Sequence, residues 1–262
     1  MSKKIVIANW KMNPLSLKEA EKLFSDIAKL VLDIKKTKIV VCPPIVYTEK
    51  LKKLSLGCTG KARKIILGVQ DAFYEDMGAY TGKISTEMLY NIGARYIILG
   101  HSETRALGDT NQDVNKKIKS SLKAGLSPVL CIGENVRDEN HEYLNAIKTQ
   151  IFECLNGVSK ASFSKIIIAY EPIWSISTTV NHHNATPTDS IEMIIFIKKV
   201  LSDISSPDIA QSMRMIYGGS VNKKNTFDFL KNGGVSGVLI GKASLDAKEF
   251  SEIVKITENE IN

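Results

Sequence analysis

The chain has 262 residues, 44% of them hydrophobic and 24% charged, with a formal net charge of +7. This composition excludes a disordered chain, which lacks the apolar residues needed to offset ordering entropy. No apolar run approaches the roughly 18–20 residues of a membrane-crossing helix. The start, Met1 to Trp10, has too short an apolar run for a signal peptide. Cys42, Cys58, Cys131 and Cys154 form no C-x-x-C, and the histidines form no H-x-x-H or H-E-x-x-H, so no zinc or other metal site is read. Sparse cysteines and no export signal point to the cytoplasm. The positive charge is spread along the chain rather than clustered with aromatics, so neither nucleic acid nor membrane is expected as a partner.

Short runs rich in Ile, Val and Leu recur in chain order: Ile5–Ala8, Ile39–Cys42, Ile65–Val69, Tyr96–Leu99, Pro128–Ile132, Ile166–Tyr170, Met213–Tyr217 and Val238–Ile240. They are nearly continuous rather than alternating, as parallel strands buried on both faces are. The stretches between them read as helices. The first carries Ala20, Leu23, Phe24, Ile27 and Val31 on one stripe behind the capping box Ser16-x-x-Glu19. A later one opens with Thr186 as cap and Pro187 at the first helical position. Eight strand–helix units at about 33 residues each predict an α/β chain, a single (β/α)8 barrel domain over residues 1–262. An open doubly-wound sheet would place a G-x-G-x-x-G after the first strand, where this chain has the glycine-free Asn9-Trp10-Lys11-Met12-Asn13.

Barrel enzymes build their sites at the C-terminal ends of the strands. Those ends carry Asn9 and Lys11, then Gly100-His101-Ser102-Glu103, Glu171-Pro172, Gly218-Gly219-Ser220 and Gly241-Lys242. The set holds a candidate base, an imidazole, an ammonium, and two glycine-rich turns after strands seven and eight, where barrels bind phosphate. Gly237 to Ala243 is a near miss to a P-loop. It fails at Ser236 and at Ala243, which excludes nucleotide hydrolysis. Taken singly, Glu171 could cap a helix, His101 could be structural and Lys11 could lie on the surface; their coincidence on strand ends favours chemistry. His182-His183 reads as a solvated loop pair, Asn184-Ala185-Thr186 as an idle glycosylation pattern, and Cys131 as a buried small hydrophobe.

At these residues the chain resembles the triosephosphate isomerase family over essentially its whole length. The matching motifs are Asn9-Trp10-Lys11-Met12-Asn13, Gly100-His101-Ser102-Glu103, Leu130-Cys131-Ile132-Gly133-Glu134, Ala169-Tyr170-Glu171-Pro172-Ile173-Trp174, Tyr217-Gly218-Gly219-Ser220-Val221 and Gly241-x-Ala243-Ser244-Leu245. The resemblance implies a TIM barrel that interconverts dihydroxyacetone phosphate and D-glyceraldehyde 3-phosphate without metal or organic cofactor. By the same resemblance Glu171 is the base and neutral His101 the electrophile. Lys11 stabilises the enediolate and the phosphate, and Asn9 places the substrate oxygens. Ser220 and the N–H groups of Ser177, Gly241 and Lys242 bind phosphate, with Glu103, Tyr217 and Trp174 in support. Residues 172–185 correspond to the lid, and residues 70–86, with Ala79-Tyr80-Thr81 at the tip, to the loop through which such chains form a homodimer. A four-carbon ketose-phosphate isomerase or a non-catalytic phosphate-binding barrel are the alternatives.

The chain departs from the family pattern at several points. Ser175-Ile176-Ser177-Thr178-Thr179 stands for the usual A-I-G-T-G, and the lid is about three residues longer. Lys242 replaces a usual glycine, while Lys83 and Thr104 replace a usual Glu and Arg. Asp109 and Asn111 replace the usual Glu and Asp of a polar network.

Overall fold

In the computed structural model, which describes residues 4–57, 65–176 and 184–260, every apolar run becomes a strand. The strands are β1 (Ile5–Asn9), β2 (Lys38–Cys42), β3 (Ile65–Val69), β4 (Tyr96–Leu99), β5 (Ser127–Ile132), β6 (Ile167–Tyr170), β7 (Arg214–Tyr217) and β8 (Gly237–Ile240). Their bounds differ from the sequence reading by a residue at several ends. Each strand pairs in parallel with its neighbours in the sequence, and β8 returns to β1, so the sheet closes as a barrel. The helices between them are α1 (Leu17–Leu30), α2 (Ile45–Gly57), α3 (Thr86–Asn91), α4 (Ser102–Ala106), α5 (Asn111–Ala124), α6 (Glu142–Leu155), α7 (Pro187–Ile204), α8 (Pro207–Ser212), α9 (Thr226–Asn232) and α10 (Ala247–Asn259). Among the described residues no helix is long and apolar enough to cross a membrane.

Alternation along each strand sorts its side chains into two cores. Ile5, Ile7, Val40, Cys42, Ile98, Val129, Cys131, Ala169, Ile216 and Leu239 fill the barrel interior. Val6, Ala8, Val41, Leu99, Leu130, Ile168 and Tyr217 face outward against the helices. Both faces are therefore buried, which is why the strands read as continuous apolar runs. Gly68 belongs to the crowded interior, where an added Cβ would come within 2.5 Å of Cys42 Sγ.

The helix starts follow the expected capping chemistry. Ser16 accepts from the Glu19 N–H, and the Glu19 carboxylate returns the bond. Thr186 caps α7 in the same reciprocal way with Asp189; such a cap contributes about 1 kcal/mol. At the opposite end of the barrel the last helix clamps the first unit. The Glu258 carboxylate accepts the backbone N–H groups of Lys35, Lys36 and Thr37 at 2.7–3.1 Å. Burial alone would raise the Glu258 carboxyl, but these donors outweigh it and hold it below the ordinary glutamate value.

Candidate active site

Five strand ends converge on one cavity of about 310 Å³, near the lower limit of small-ligand pockets. Asn9, Lys11, His101, Glu171, Ser220, Gly241 and Lys242 all line it, beside Gly218, Gly219 and Leu239. The structure thus brings the candidate base, imidazole, ammonium and glycine-rich turns into one space. Ser177 and the pair His182-His183 lie outside the described residues.

Lys11 leaves β1 with φ = +51°, a region that costs a β-carbon-bearing residue about 1–2 kcal/mol. Three ties hold it there. Its N–H donates to Asn9 Oδ1 at 3.0 Å, its carbonyl accepts from Gln70 Nε2 at 2.9 Å, and its ammonium meets Glu103 Oε1 at 2.6 Å. Gln70 also donates to the Cys42 carbonyl at 2.9 Å. Nothing local in the chain marks Gln70 beyond its position just after β3.

His101 precedes the short helix α4, and its Nδ1 accepts the Glu103 N–H at 3.1 Å. A ring nitrogen that accepts carries no proton, so the imidazole is neutral with its hydrogen on Nε2. That Nε2 lies 3.2 Å from Glu171 Oε1, off the line of a hydrogen bond. Glu171 is 2% exposed. Its other oxygen receives a long contact of 3.4 Å from the Ser102 N–H. Glu171 Oε1 itself has no hydrogen-bond partner among the described residues.

Two glycines make room for this carboxylate. A Cβ on Gly218 would sit 2.8 Å from Glu171 Cγ, and one on Gly133 would overlap the Glu171 carbonyl oxygen at 1.7 Å. Cys131, read from sequence as a small hydrophobe, is fully buried in the barrel interior. It also faces chemistry: burial, then the charge of Glu171, pushes its thiol well up, so it stays protonated beside the carboxylate.

Behind Glu171 a second polar cluster fixes the start of the following loop. Glu134, buried after β5, accepts from Tyr170 Oη at 2.8 Å, Trp174 Nε1 at 2.9 Å and Arg137 Nε at 3.2 Å. Arg137 continues to Asp189 at 2.7 Å, and its guanidinium lies over the Trp174 ring. Burial and the Glu134 charge push the Tyr170 phenol up, so it remains a donor. Ser175 is fully buried. Its hydroxyl accepts the Ala185 N–H at 2.9 Å, and its carbonyl accepts from Ser220 Oγ at 2.7 Å. Tyr217 stacks on Phe229 and reaches Ser175 Oγ at 3.5 Å; burial pushes its phenol up to about 12. Trp174 and Tyr217 thus stand beside the cavity rather than in it. Arg137 was missed from sequence, and Glu134 entered only within the matching motif Leu130 to Glu134, with no role given to it.

The altered polar network is complete in its own terms. The Lys117 ammonium is bracketed by Asp109 at 2.7 and 2.8 Å and by Asp71 at 2.8 and 3.1 Å. Burial pulls Lys117 down, but the two carboxylates outweigh it and its pKa is raised. Asn111 accepts from Arg105 and donates to Glu153 at 2.8 Å. Lys83 lies over the Phe73 ring at 5.7 Å, while the Thr104 hydroxyl donates to the His101 carbonyl at 2.9 Å. Neither is left as half of a broken ion pair.

A neutral imidazole, a buried carboxylate and an ammonium around a small cavity define a (β/α)8-barrel enzyme of proton-transfer type for a small anionic substrate. The comparisons with known proteins make this specific. A family model described as triosephosphate isomerase matches residues 4–257. The triosephosphate isomerase of Caldanaerobacter subterraneus subsp. tengcongensis is 40% identical over 257 residues, covering 97% of this chain and 99% of that protein. That of Dehalococcoides mccartyi is 41% identical over 253 residues, 96% of each. The crystal structure of triosephosphate isomerase from Bartonella henselae superposes with a TM-score of 0.81 at 30% identity, covering 97% of this chain and 98% of that one. The chain belongs to the triosephosphate isomerase family and is an isomerase of triose phosphates. A four-carbon isomerase and a non-catalytic barrel are not favoured by these relatives.

Proposed function

We propose that Glu171 moves a proton between adjacent carbons of dihydroxyacetone phosphate and D-glyceraldehyde 3-phosphate through an enediolate, within glycolysis and gluconeogenesis. The observation that carries this reading is the 3.2 Å approach of the buried Glu171 carboxylate to the proton-bearing Nε2 of His101. Glu171 takes the proton from the hydroxyl-bearing carbon and returns it to the neighbouring carbon. The hydroxyl hydrogen changes oxygen in the same sense, with His101 Nε2 giving its proton to the carbonyl oxygen of the neighbouring carbon and recovering one from the hydroxyl. Lys11 offers its ammonium to the developing negative oxygen, held in place by Glu103, and Asn9 orients the substrate. Ser220, Gly241 and Lys242 hold the phosphate through their N–H groups. The whole chain, 1–262, acts as one barrel domain in this scheme.

The chain works in the cytoplasm as a homodimer. The dimer reading is supported by apolar side chains left in solvent: Met12 at 87% exposure, Leu15 at 90%, Val46 at 75% and Met77 at 84%. Met77 belongs to the loop 70–86, which Phe73 and Tyr80 brace by ring contact at 4.8 Å. Apolar side chains this exposed are what a partner surface would cover. Sedimentation at micromolar concentration tests it, and a monomer there overturns it.

Steady-state isomerisation by the purified chain tests the chemistry, with an erythrulose phosphate alongside. Glu171→Gln is expected to lower turnover by about 10²–10⁴-fold while inorganic phosphate still inhibits by competition. Near-normal turnover of that variant overturns Glu171 as base. Faster turnover of the four-carbon sugar overturns the substrate assignment.

A further inference from the structure

We propose that the side-chain ammonium of Lys242 is an electrostatic capture group for the phosphate dianion at the mouth of the active-site cavity, separate from any bond its backbone N–H makes. This rests on the reading of the cavity as a phosphate-ester site.

Lys242 opens a 3-10 turn, Lys242–Leu245, two residues past the end of β8, is exposed, and lines the cavity. The ionisable side chains lining that cavity are Lys11, His101, Glu171, Lys242 and Glu249. His101 is neutral, as its accepting Nδ1 shows. The Lys11 ammonium is 2.6 Å from Glu103, so most of its field at a distance is cancelled by that carboxylate. Glu171 and Glu249 contribute two negative charges. On this count the lining carries two net negative charges without Lys242 and one with it, so the Lys242 ammonium offsets half of the repulsion an approaching dianion meets. Lys242 forms no ion pair among the described residues, in contrast to Lys11 with Glu103 and Lys223 with Glu252. Its position at the rim keeps it hydrated until substrate arrives, so it acts through the field rather than through a buried contact. A rim charge of this kind raises encounter rates, and its effect fades as salt shortens the Debye length.

The test uses Lys242→Met, Lys242→Arg and Glu249→Gln in the full chain. Two quantities are read across ionic strength: kcat/KM for D-glyceraldehyde 3-phosphate, and the Kd of inorganic phosphate by calorimetry. Lys242→Met is expected to lose about 3- to 10-fold in both at low salt, the gap closing as ionic strength approaches ~0.5 M. Lys242→Arg keeps the charge and is expected to lose less than half of what Lys242→Met loses at low salt. Glu249→Gln is expected to move both quantities the other way with the same salt dependence. The proposal is overturned if Lys242→Met matches wild type at low salt, or if its loss is the same at every ionic strength, which would mark a local contact or a distorted turn. The phosphate measurement needs no turnover. A wild type that binds phosphate through Lys242 yet does not isomerise triose phosphates overturns the proposed function alone. An active isomerase indifferent to Lys242→Met overturns this inference alone.

Discussion

Gln70 holds Lys11 in its left-handed backbone conformation by donating one side-chain amide to two carbonyls, those of Lys11 and Cys42, each at 2.9 Å. It links the end of β3 to the ends of β1 and β2, and through Lys11 to the cavity. Gln70→Met keeps the volume and removes the donors. It is expected to lower kcat/KM by about 10- to 100-fold, because an ammonium displaced by an ångström loses much of its effect. The two unpaired carbonyls should cost about 1–3 kcal/mol of stability. A fall in thermal midpoint with unchanged kinetics would show that Gln70 braces the fold without placing Lys11.

Gly218 has an ordinary φ, so alanine suits its backbone, but the new Cβ would press on Glu171 Cγ at 2.8 Å. Gly218→Ala should therefore move the carboxylate away from His101 and leave the barrel folded. About a 10²-fold fall in turnover with a nearly unchanged melting temperature is expected. Wild-type turnover would show that Glu171 tolerates the displacement.

Lys117 is 6% exposed, between Asp109 at 19% and Asp71 at 42%. Lys117→Met leaves two facing carboxylates without their cation. Because both remain partly hydrated, a loss of about 2–3 kcal/mol is expected in denaturant unfolding, below that of a fully buried pair. Adding Asp71→Asn and Asp109→Asn should recover part of it. A triple variant no more stable than Lys117→Met would place the loss in packing instead of charge.

The Glu258 clamp predicts a pH dependence whose sign is fixed by its lowered carboxyl. An acid with a folded pKa below its unfolded value stabilises the fold above the unfolded value, near 4.5, and loses that contribution as pH falls through the folded value. Glu258→Gln should cost about 1 kcal/mol at pH 7, allowing for solvent screening at this half-buried site. Wild type and variant should converge in stability below the ordinary glutamate range. Curves that stay parallel down to acid pH would remove the carboxylate charge from the account.

The sequence was enough for the barrel because each local signal agrees with the closed sheet. Continuous apolar runs need burial on both faces, capping residues start the helices between them, and nothing in the chain offers an edge strand. It was enough for Asn9, Lys11, His101, Glu171 and the glycine turns because a barrel gathers its strand ends in one place. Gln70, Arg137 and the part played by Glu134 were not legible in the same way. Their importance comes from partners 28 to 59 positions away in the chain for Gln70 and 36 to 52 for the Tyr170, Trp174 and Asp189 contacts, and no local pattern encodes such a distance.

The same division separates identity from conformation. Residue types at strand ends determined which groups could act as base, electrophile and cation. Only the tertiary structure decided that Nδ1 of His101 accepts while Nε2 carries the proton, since that depends on the direction of the Glu103 N–H. Only it decided that Glu171 is nearly dry, that Lys11 is paired with Glu103, and that Lys242 stands unpaired among the described residues at the rim. The physical reason is that charge, tautomer and hydration belong to a group and its surroundings together. Those surroundings do not exist until the strand ends meet.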